Sequence, residues 1–200
     1  GRGNSDQGYD SAIKAFDESL QKLGLKYLDL YLIHWPGAGP KRRHDSWRAM
    51  IELQKQGKVR SIGVSNFTTR HLDELMEKID VMPAVNQVEF HPFIYDEQKD
   101  LLEYCRQHKI IFEAYSPLAQ GHLSDELLTL IGKKRGKTSS QVMLRWAIQR
   151  GTLPIPRSSN PDHISQNFDV FDFKLSDEEI GKIDDLSNGE RQSWDPTHLP

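Results

Sequence analysis

The sequence predicts an α/β protein with a parallel sheet, and three observations favour this fold class. Five short runs of apolar, β-branched or aromatic residues alternate with segments whose apolar residues recur at helical spacing. Several of these runs stop abruptly at a polar residue close to a proline, as at His34 and His91. No glycine-rich phosphate fingerprint follows any strand, which disfavours an open doubly wound sheet. We therefore expect an incomplete (β/α)₈ barrel with about five of its eight β/α units, in a single domain over residues 1–200.

The first half of the chain contains three of the predicted strands. Residues 11–23 form an apolar stripe that ends before Gly24, a residue that favours helix C-caps. Residues 27–36 lack a helical period and are typical of a buried strand, which ends at His34. The next predicted elements are a helix with Trp47, Met50 and Ile51 closed by Gly57, a strand over residues 59–66, a helix with Leu72, Leu75 and Met76, and a strand over residues 84–90.

The second half continues the alternation. A helix carries Leu101, Leu102 and Cys105, and a strand over residues 110–115 stops at Ser116. Two helical segments, 124–135 and 139–150, precede a fifth strand over residues 152–156. Asn160 before Pro161 predicts an N-cap with proline at the first helical position. The run from Ser176 to Glu179 is a capping box that starts a last helix through Leu186, and an irregular tail follows.

Composition restricts the class of partner. The net charge of −3 is close to balance and no basic stripe is present, so the sequence predicts no nucleic-acid partner. No apolar run approaches the roughly 20 residues that span a bilayer, and the first residues are too polar for a signal peptide. A single cysteine, Cys105, fits a reducing compartment and predicts a cytoplasmic protein. We expect Cys105 to be a small buried hydrophobic residue, and we expect no metal site.

Polar groups cluster at the ends of successive predicted strands, which converge at one end of a barrel. They are His34, Ser65 and Asn66, Gln87 and Glu89, Tyr115 and Ser116, and Arg157 to Asn160. Amide and hydroxyl groups suit a nicotinamide carboxamide, an aromatic ring can stack on the nicotinamide, and arginine at a helix start suits a phosphate. Singly, each has an ordinary alternative: a satisfied core histidine, a turn, a core tyrosine or a solvated arginine. Five agreeing strand ends favour a nicotinamide dinucleotide site.

Five sequence blocks resemble the aldo-keto reductases over essentially all 200 residues. They are "LGLKYLDLYLIHWP", "GKVRSIGVSNF", "VNQVEFHP", "AYSPLAQG" and "LPIPRSSNPDHISQN". The resemblance implies an NADP(H)-dependent barrel that reduces aldehydes or ketones to alcohols. It also implies a small-molecule carbonyl substrate and a monomeric full-length protein.

The resemblance assigns a role to individual residues. His34 matches the active-site histidine that orients the substrate carbonyl. Cofactor-binding positions are matched by Ser65, Asn66 and Gln87 at the carboxamide, Tyr115 at the nicotinamide ring, Ser116 and Leu118 at the pyrophosphate, Arg157, Ser158, Ser159, Asn160 and His163 at the 2′-phosphate, and Gln166 and Asn167 at the adenine. The family more often has lysine at the position of Arg157, arginine at that of His163 and glutamate at that of Gln166. Trp35 and Trp194 match residues that line the substrate pocket.

One departure from the family affects the expected activity. The family's catalytic tetrad is Asp, Tyr, Lys and His, and within these 200 residues only His34 has a counterpart. We therefore expect this chain to be impaired or inactive in carbonyl reduction. A non-catalytic nicotinamide-nucleotide-binding or regulatory protein remains the alternative. A phosphate-binding isomerase or aldolase is disfavoured, because no lysine or carboxylate pair lies at the strand ends. We also expect this chain to associate through an exposed edge of its sheet.

Overall fold

Strands and helices alternate along the chain in the computed structural model, which describes residues 7–37, 39–78 and 81–200. The strands are β1 (Leu28–Ile33), β2 (Val59–Ser65), β3 (Val85–Glu89), β4 (Ile111–Tyr115) and β5 (Leu153–Pro154). They form one parallel sheet in the order β1-β2-β3-β4-β5. The helices are α1 (Tyr9–Leu23), α2 (Pro40–Lys55), α3 (Thr69–Met76), α4 (Tyr95–Gln107), α5 (Glu126–Arg135), α6 (Ser139–Gln149), α7 (Pro161–Phe168) and α8 (Asp177–Asp184). Short 3₁₀ turns occupy Pro92–Ile94, Ala119–Gly121 and Pro196–His198.

The predicted caps explain most of the helix boundaries. Asn160 accepts the backbone N–H of Asp162 at 2.9 Å and begins α7 at Pro161, as predicted. Ser176 and Glu179 form the predicted capping box of α8. The fifth strand contains only Leu153 and Pro154, whereas the sequence predicted a strand over residues 152–156. Proline has no N–H to donate to a ladder, which limits pairing in this segment.

The described residues group into two compact units. Unit 1 contains the described residues through Gln87, together with Cys105–Ile110 and Asp195–Pro200. Unit 2 contains Val88–Tyr104 and Ile111–Trp194. The single domain expected from the sequence stays a prediction.

The core of unit 1 forms where α1 and α2 cover β1 and β2. Phe16 of α1 is fully buried, and its ring meets that of Tyr31 edge-on with centroids 5.1 Å apart. Trp47 of α2 is also buried and donates its indole N–H to the carbonyl of Val81 at 2.9 Å. In β2, a Cβ at Gly63 would lie 2.7 Å from the Val85 carbonyl oxygen, so this close strand approach requires glycine.

The core of unit 2 is aromatic. The ring of Phe90 stacks on Trp146 of α6 with centroids 5.0 Å apart, and Phe112 of β4 meets Phe90 edge-on at 5.2 Å. The indole N–H of Trp146 donates to the Asp184 carboxylate at 2.8 Å, and that carboxylate also pairs with Arg150. The Asp184 carboxylate of α8 thus joins that helix to Trp146 and Arg150 at the aromatic core.

The edge strand β1 is less buried than its neighbour. Four of its six side chains are half-buried, one is exposed, and only Ile33 is fully buried, whereas most of β2 is buried. Within the described segments, no helix is both long and apolar enough to cross a membrane. In the same part of the chain, no three His, Cys, Asp or Glu side chains are grouped so that they could bind a metal ion.

Candidate functional site

Four predicted site residues lie at the adjacent ends of β1, β2 and β3 in unit 1. We call His34, Ser65, Asn66 and Gln87 the strand-end cluster. The Asn66 side-chain amide donates to the backbone carbonyl of His34 at 3.0 Å and to the Ser65 hydroxyl at 3.2 Å. The carbonyl of Gln87 accepts from the Ser65 hydroxyl at 2.7 Å and from the Asn66 N–H at 2.9 Å. The structure therefore brings these four residues together through direct hydrogen bonds.

The backbone at Asn66 has a conformation that is uncommon outside glycine. Its φ is 61°, in the left-handed region that asparagine tolerates better than most residues. Asn86 of β3 supports the turn, since its buried side-chain amide donates to the Phe67 carbonyl at 2.8 Å and its oxygen accepts the Phe67 N–H at 3.4 Å. The sequence analysis missed Asn86. An amide between Val85 and Gln87, in a predicted strand, was the signal that could have found it.

The two aromatic residues that follow β1 are accessible. The His34 side chain is exposed directly after the strand, and Trp35 is half-buried. The Trp35 carbonyl accepts a hydrogen bond from the Gln7 side chain at 3.1 Å. This position matches the predicted one for His34, at the carboxyl end of a strand, where α/β proteins bind ligands.

A second group in unit 1 holds the end of the chain and was not predicted. Thr68 and His71 form the capping box of α3, in which the Thr68 N–H donates to His71 Nδ1 at 3.2 Å. His71 Nε2 therefore carries the proton and donates to the Leu199 carbonyl at 3.2 Å. Burial, with a smaller contribution from the nearby Arg43 and Arg70, lowers the pKa of His71 to about 4, although the hydrogen bond to Leu199 opposes the shift. His71 is thus neutral at physiological pH.

In unit 2, Tyr115 lies at the end of β4, as predicted. Its backbone carbonyl accepts the Phe90 N–H at 3.2 Å, and its side chain is half-buried. Burial raises the pKa of Tyr115, and a hydrogen bond with Ser193 opposes part of that rise. Tyr115 is therefore a protonated phenol whose ring is restrained by the residues around it.

The segment after Tyr115 has a strained backbone. Ser116, Ala119 and Gln120 have φ values of 49°, 44° and 51°, although none of them is glycine. Such conformations cost on the order of 1–3 kcal/mol each and concentrate at ligand-binding sites. Ser116 and Leu118, the two residues matched to the pyrophosphate, lie in this segment. Their side chains are half-buried.

The stretch matched to the adenosine phosphate is exposed, and we call residues 157–167 the phosphate stretch. Its backbone is organised locally, because Ser158 Oγ accepts the Asn160 N–H at 3.1 Å and Asn160 caps α7. Arg157, Ser159, Asn160, His163 and Gln166 are exposed, and Ser158 and Asn167 are half-buried. The exposed Arg157 precedes the start of α7 by four residues, and both a positive charge and a helix start suit an anion.

Glu89 is the last residue of β3 and so lies at a strand end, as the sequence predicted. That residue was grouped with the polar strand ends, but its side chain is only 2% exposed. Its carboxylate pairs with buried His91 at 3.1 Å and accepts backbone N–H groups from Gln192 and Ser193. Glu89 therefore belongs to the packing of the tail. Trp194, the next residue after these contacts, is 44% exposed.

These elements define a class of protein. A parallel α/β sheet ends in an amide and hydroxyl cluster in unit 1, and in a tyrosine and an arginine-bearing helix start in unit 2. Amides, hydroxyls and arginines near helix starts are groups that nucleotide-binding α/β enzymes use. A model of the aldo/keto reductase family matches residues 1–188. The chain belongs to the aldo/keto reductase family.

Individual relatives agree with this assignment. The chain is 50% identical to glyoxal reductase of Bacillus subtilis over 197 residues, which cover 98% of this chain and 70% of the relative. It is 47% identical to the 9,11-endoperoxide prostaglandin H2 reductase of Trypanosoma cruzi over 200 residues, 98% of this chain and 69% of that protein. The crystal structure of a Gox0644 variant in complex with NADPH has a TM-score of 0.92 and 41% identity, and the match covers 98% of this chain and 73% of that one. The predicted fold class, an α/β protein that forms part of a (β/α)₈ barrel, is confirmed.

Proposed function

We propose that this chain binds NADP(H) and serves an oxidoreductase that reduces aldehydes or ketones to alcohols. The strand-end cluster supports this proposal most directly. It holds the Asn66 amide and the Ser65 hydroxyl in a fixed arrangement at the carboxyl ends of neighbouring strands, and the Gln87 backbone carbonyl accepts from that hydroxyl. Amide and hydroxyl groups provide the donors and acceptors that a carboxamide needs.

A contact with one part of the cofactor is proposed for each matched residue. Ser65, Asn66 and Gln87 would hold the carboxamide, and Tyr115 would stack on the nicotinamide ring. Ser116, whose φ is 49°, and Leu118 would lie along the pyrophosphate. NADPH supplies the hydride for carbonyl reduction when it is bound.

The phosphate stretch fits a 2′-phosphate. Arg157 is exposed, and the hydroxyls of Ser158 and Ser159 precede the capped first turn of α7. Arginine and hydroxyl groups bind phosphate by charge-assisted hydrogen bonds. Asn160 and His163 complete the proposed phosphate contacts, and Gln166 and Asn167 would face the adenine.

His34 is proposed to orient the substrate carbonyl, and Trp35 and Trp194 to line the substrate pocket.

The 200 residues contain no counterpart of the family's Asp, Tyr and Lys. General acid catalysis contributes about 10²–10⁴-fold, so we expect this chain by itself to reduce carbonyls weakly or not at all. Glyoxal is a suitable probe, because a relative that is 50% identical is a glyoxal reductase. NADPH oxidation by this chain at a rate near that of the Bacillus relative would contradict the expected impairment.

A non-catalytic nucleotide-binding or regulatory role is the second candidate. It is favoured by the presence of His34 alone among the tetrad positions. The test uses a protein in which the family's Asp, Tyr and Lys have been added to this chain. NADPH binding without glyoxal turnover in that protein would support this alternative. If that protein turns glyoxal over and His34→Ala lowers its turnover, the reductase function is supported.

The state of association is a further part of the proposal. β1 is an edge strand of the sheet, and its Leu30, Tyr31 and Leu32 side chains are half-buried. At the other edge, the side chains of Leu153 and Ile155 are exposed. Unpaired apolar edge strands promote pairing with other chains. We therefore expect association of this chain, measurable by sedimentation, and a monodisperse monomer would contradict it.

A cytoplasmic location stays a prediction from the sequence. The burial of Cys105, which raises its pKa to about 12, agrees with the predicted unreactive cysteine.

A further inference from the structure

A buried carboxylate in unit 2 holds residues 188–194, which we call the tail segment. Glu89 Oε1 accepts the backbone N–H of Gln192 and pairs with His91 Nε2 at 3.1 Å. Glu89 Oε2 accepts the backbone N–H of Ser193 at 3.2 Å. One side chain therefore fixes two consecutive peptide groups of the tail segment.

The same two tail residues contact the β4 end. The hydroxyl of Ser193 hydrogen-bonds the phenol of Tyr115. The Gln120 side-chain amide donates to the Gln192 carbonyl at 3.0 Å. A continuous series of contacts thus runs from Glu89 through Gln192 and Ser193 to Tyr115.

The protonation state of Glu89 suits this role. Burial favours the neutral acid, but the hydrogen bonds from His91 and from the Gln192 N–H outweigh burial and hold the pKa of Glu89 below its usual range. An ionised carboxylate accepts hydrogen bonds on both oxygens and binds about twice as strongly as a neutral acceptor. A buried charge destabilises a fold unless all its hydrogen-bond partners are present. The ionised Glu89 therefore holds the tail segment in one position.

We propose that Glu89 is a positioning residue for the nicotinamide ring. By fixing Gln192 and Ser193, it places the Ser193 hydroxyl that restrains the ring of Tyr115, and it sets the backbone from which Trp194 projects. The inference rests on the proposed function, in which Tyr115 stacks on the nicotinamide. Glu89 itself acts through the tail segment and Tyr115.

The anchoring is tested without any ligand, by hydrogen–deuterium exchange of the tail segment. Glu89→Gln keeps the size of the side chain but turns an amide N–H₂ toward backbone donors. We expect exchange in residues 188–194 to accelerate by about tenfold or more, the range for losing charge-assisted hydrogen bonds. The matched control is Glu178→Gln, since Glu178 is exposed and its carboxylate pairs with Lys182 at 2.6 Å. Unchanged exchange in the Glu89 variant would overturn the inference.

The effect on the cofactor is tested with two ligands. NADPH carries the nicotinamide, whereas adenosine 2′,5′-bisphosphate carries only the groups assigned to the phosphate stretch. Glu89→Gln should weaken NADPH by roughly threefold to tenfold, the value of about one hydrogen bond, and leave the bisphosphate within twofold. Equal losses for both ligands would indicate a merely structural role and overturn the inference, as would unchanged affinity for both.

A second variant guards against misfolding of the first. Ser193→Ala removes the contact with Tyr115 and leaves the carboxylate of Glu89 and its two backbone partners in place. It should weaken NADPH by roughly threefold without accelerating exchange at Gln192. Unchanged NADPH affinity in this variant would overturn the inference. If the wild-type chain binds neither ligand, the proposed function fails as well, whereas failure of the variants alone overturns only the role of Glu89.

Discussion

The strand-end cluster and the phosphate stretch are built in different ways, although both are proposed to hold NADP(H). Ser65 and Asn66 are only 1% and 7% exposed, and their hydrogen bonds join the ends of three strands. The phosphate stretch is mostly exposed and is organised by contacts between residues close in sequence, such as Ser158 with Asn160. Changes in the cluster should therefore alter the stability of the fold. Changes in the stretch should alter cofactor selectivity.

The largest expected effect is at Asn66. Asn66→Ala removes hydrogen bonds to the His34 carbonyl and Ser65, and it places alanine at a φ of 61°. A lost buried partner costs about 1–3 kcal/mol and the left-handed conformation about 1–2 kcal/mol, so we expect a loss of about 2–5 kcal/mol. Urea unfolding measures this change. Asn66→Gly, which relieves the backbone strain alone, should recover part of the loss, and a stable Ala variant would contradict the account.

A second prediction concerns pH and compares two capping boxes. His71 in α3 and Gln141 in α6 occupy the same position, and each also donates to a distant backbone carbonyl. The pKa of His71 is about 4 in the fold, against about 6.5 when unfolded, so the unfolded chain binds more protons between these values. Stability should fall by up to about 3 kcal/mol as the pH drops from 6.5 to 4, with no further contribution below pH 4.

The variant His71→Gln isolates this contribution. A glutamine amide can accept the Thr68 N–H and donate to the Leu199 carbonyl, as Gln141 does in its own box. It does not titrate, so the variant should unfold in urea with a flatter dependence on pH than the wild type. Carboxylates such as Glu89 contribute equally to both proteins. The same slope in both would show that His71 does not carry the effect.

The third prediction concerns the phosphate stretch. Arg157→Glu should weaken NADPH by about ten- to a hundredfold, because a charge-assisted contact with phosphate contributes about 1.5–3 kcal/mol. Affinity for NADH should change by less than about twofold, since NADH lacks the 2′-phosphate. Lys174→Glu makes the same change in charge at another exposed position of unit 2 and should leave both affinities unchanged. Equal losses for NADPH and NADH in the Arg157 variant would refute the assignment.

The smallest expected effect is at Asn160. Asn160→Ala removes the N-cap of α7 and should cost about 1 kcal/mol of stability, less than Asn66→Ala. Thermal unfolding of the two variants gives this comparison directly. Asn160→Ser, which keeps a capping oxygen, should recover most of the loss. A larger effect at Asn160 than at Asn66 would reverse the proposed contrast between the two regions.

The sequence predicted the parts of the molecule whose signals are local. The caps at Asn160 and Ser176 and the polar residues at the strand ends each depend on a few neighbouring residues. The residues it missed act over long separations in the chain: Asn86 supports Phe67, His71 binds Leu199, and Glu89 binds the tail segment. The contacts of Glu89 could not be predicted for the same reason. The sequence does not distinguish a strand-end carboxylate that faces a ligand from one that accepts two backbone N–H groups of a distant segment.

We propose that this chain binds NADP(H) and selects it through the phosphate stretch. The most direct measurement is a titration of the purified 200-residue chain with NADPH and, separately, with NADH, followed by the fluorescence of the reduced nicotinamide. We expect saturable binding of both, with NADPH tighter by at least about tenfold, the contribution of one charge-assisted phosphate contact. Absence of binding, or equal affinity for the two cofactors, would contradict it.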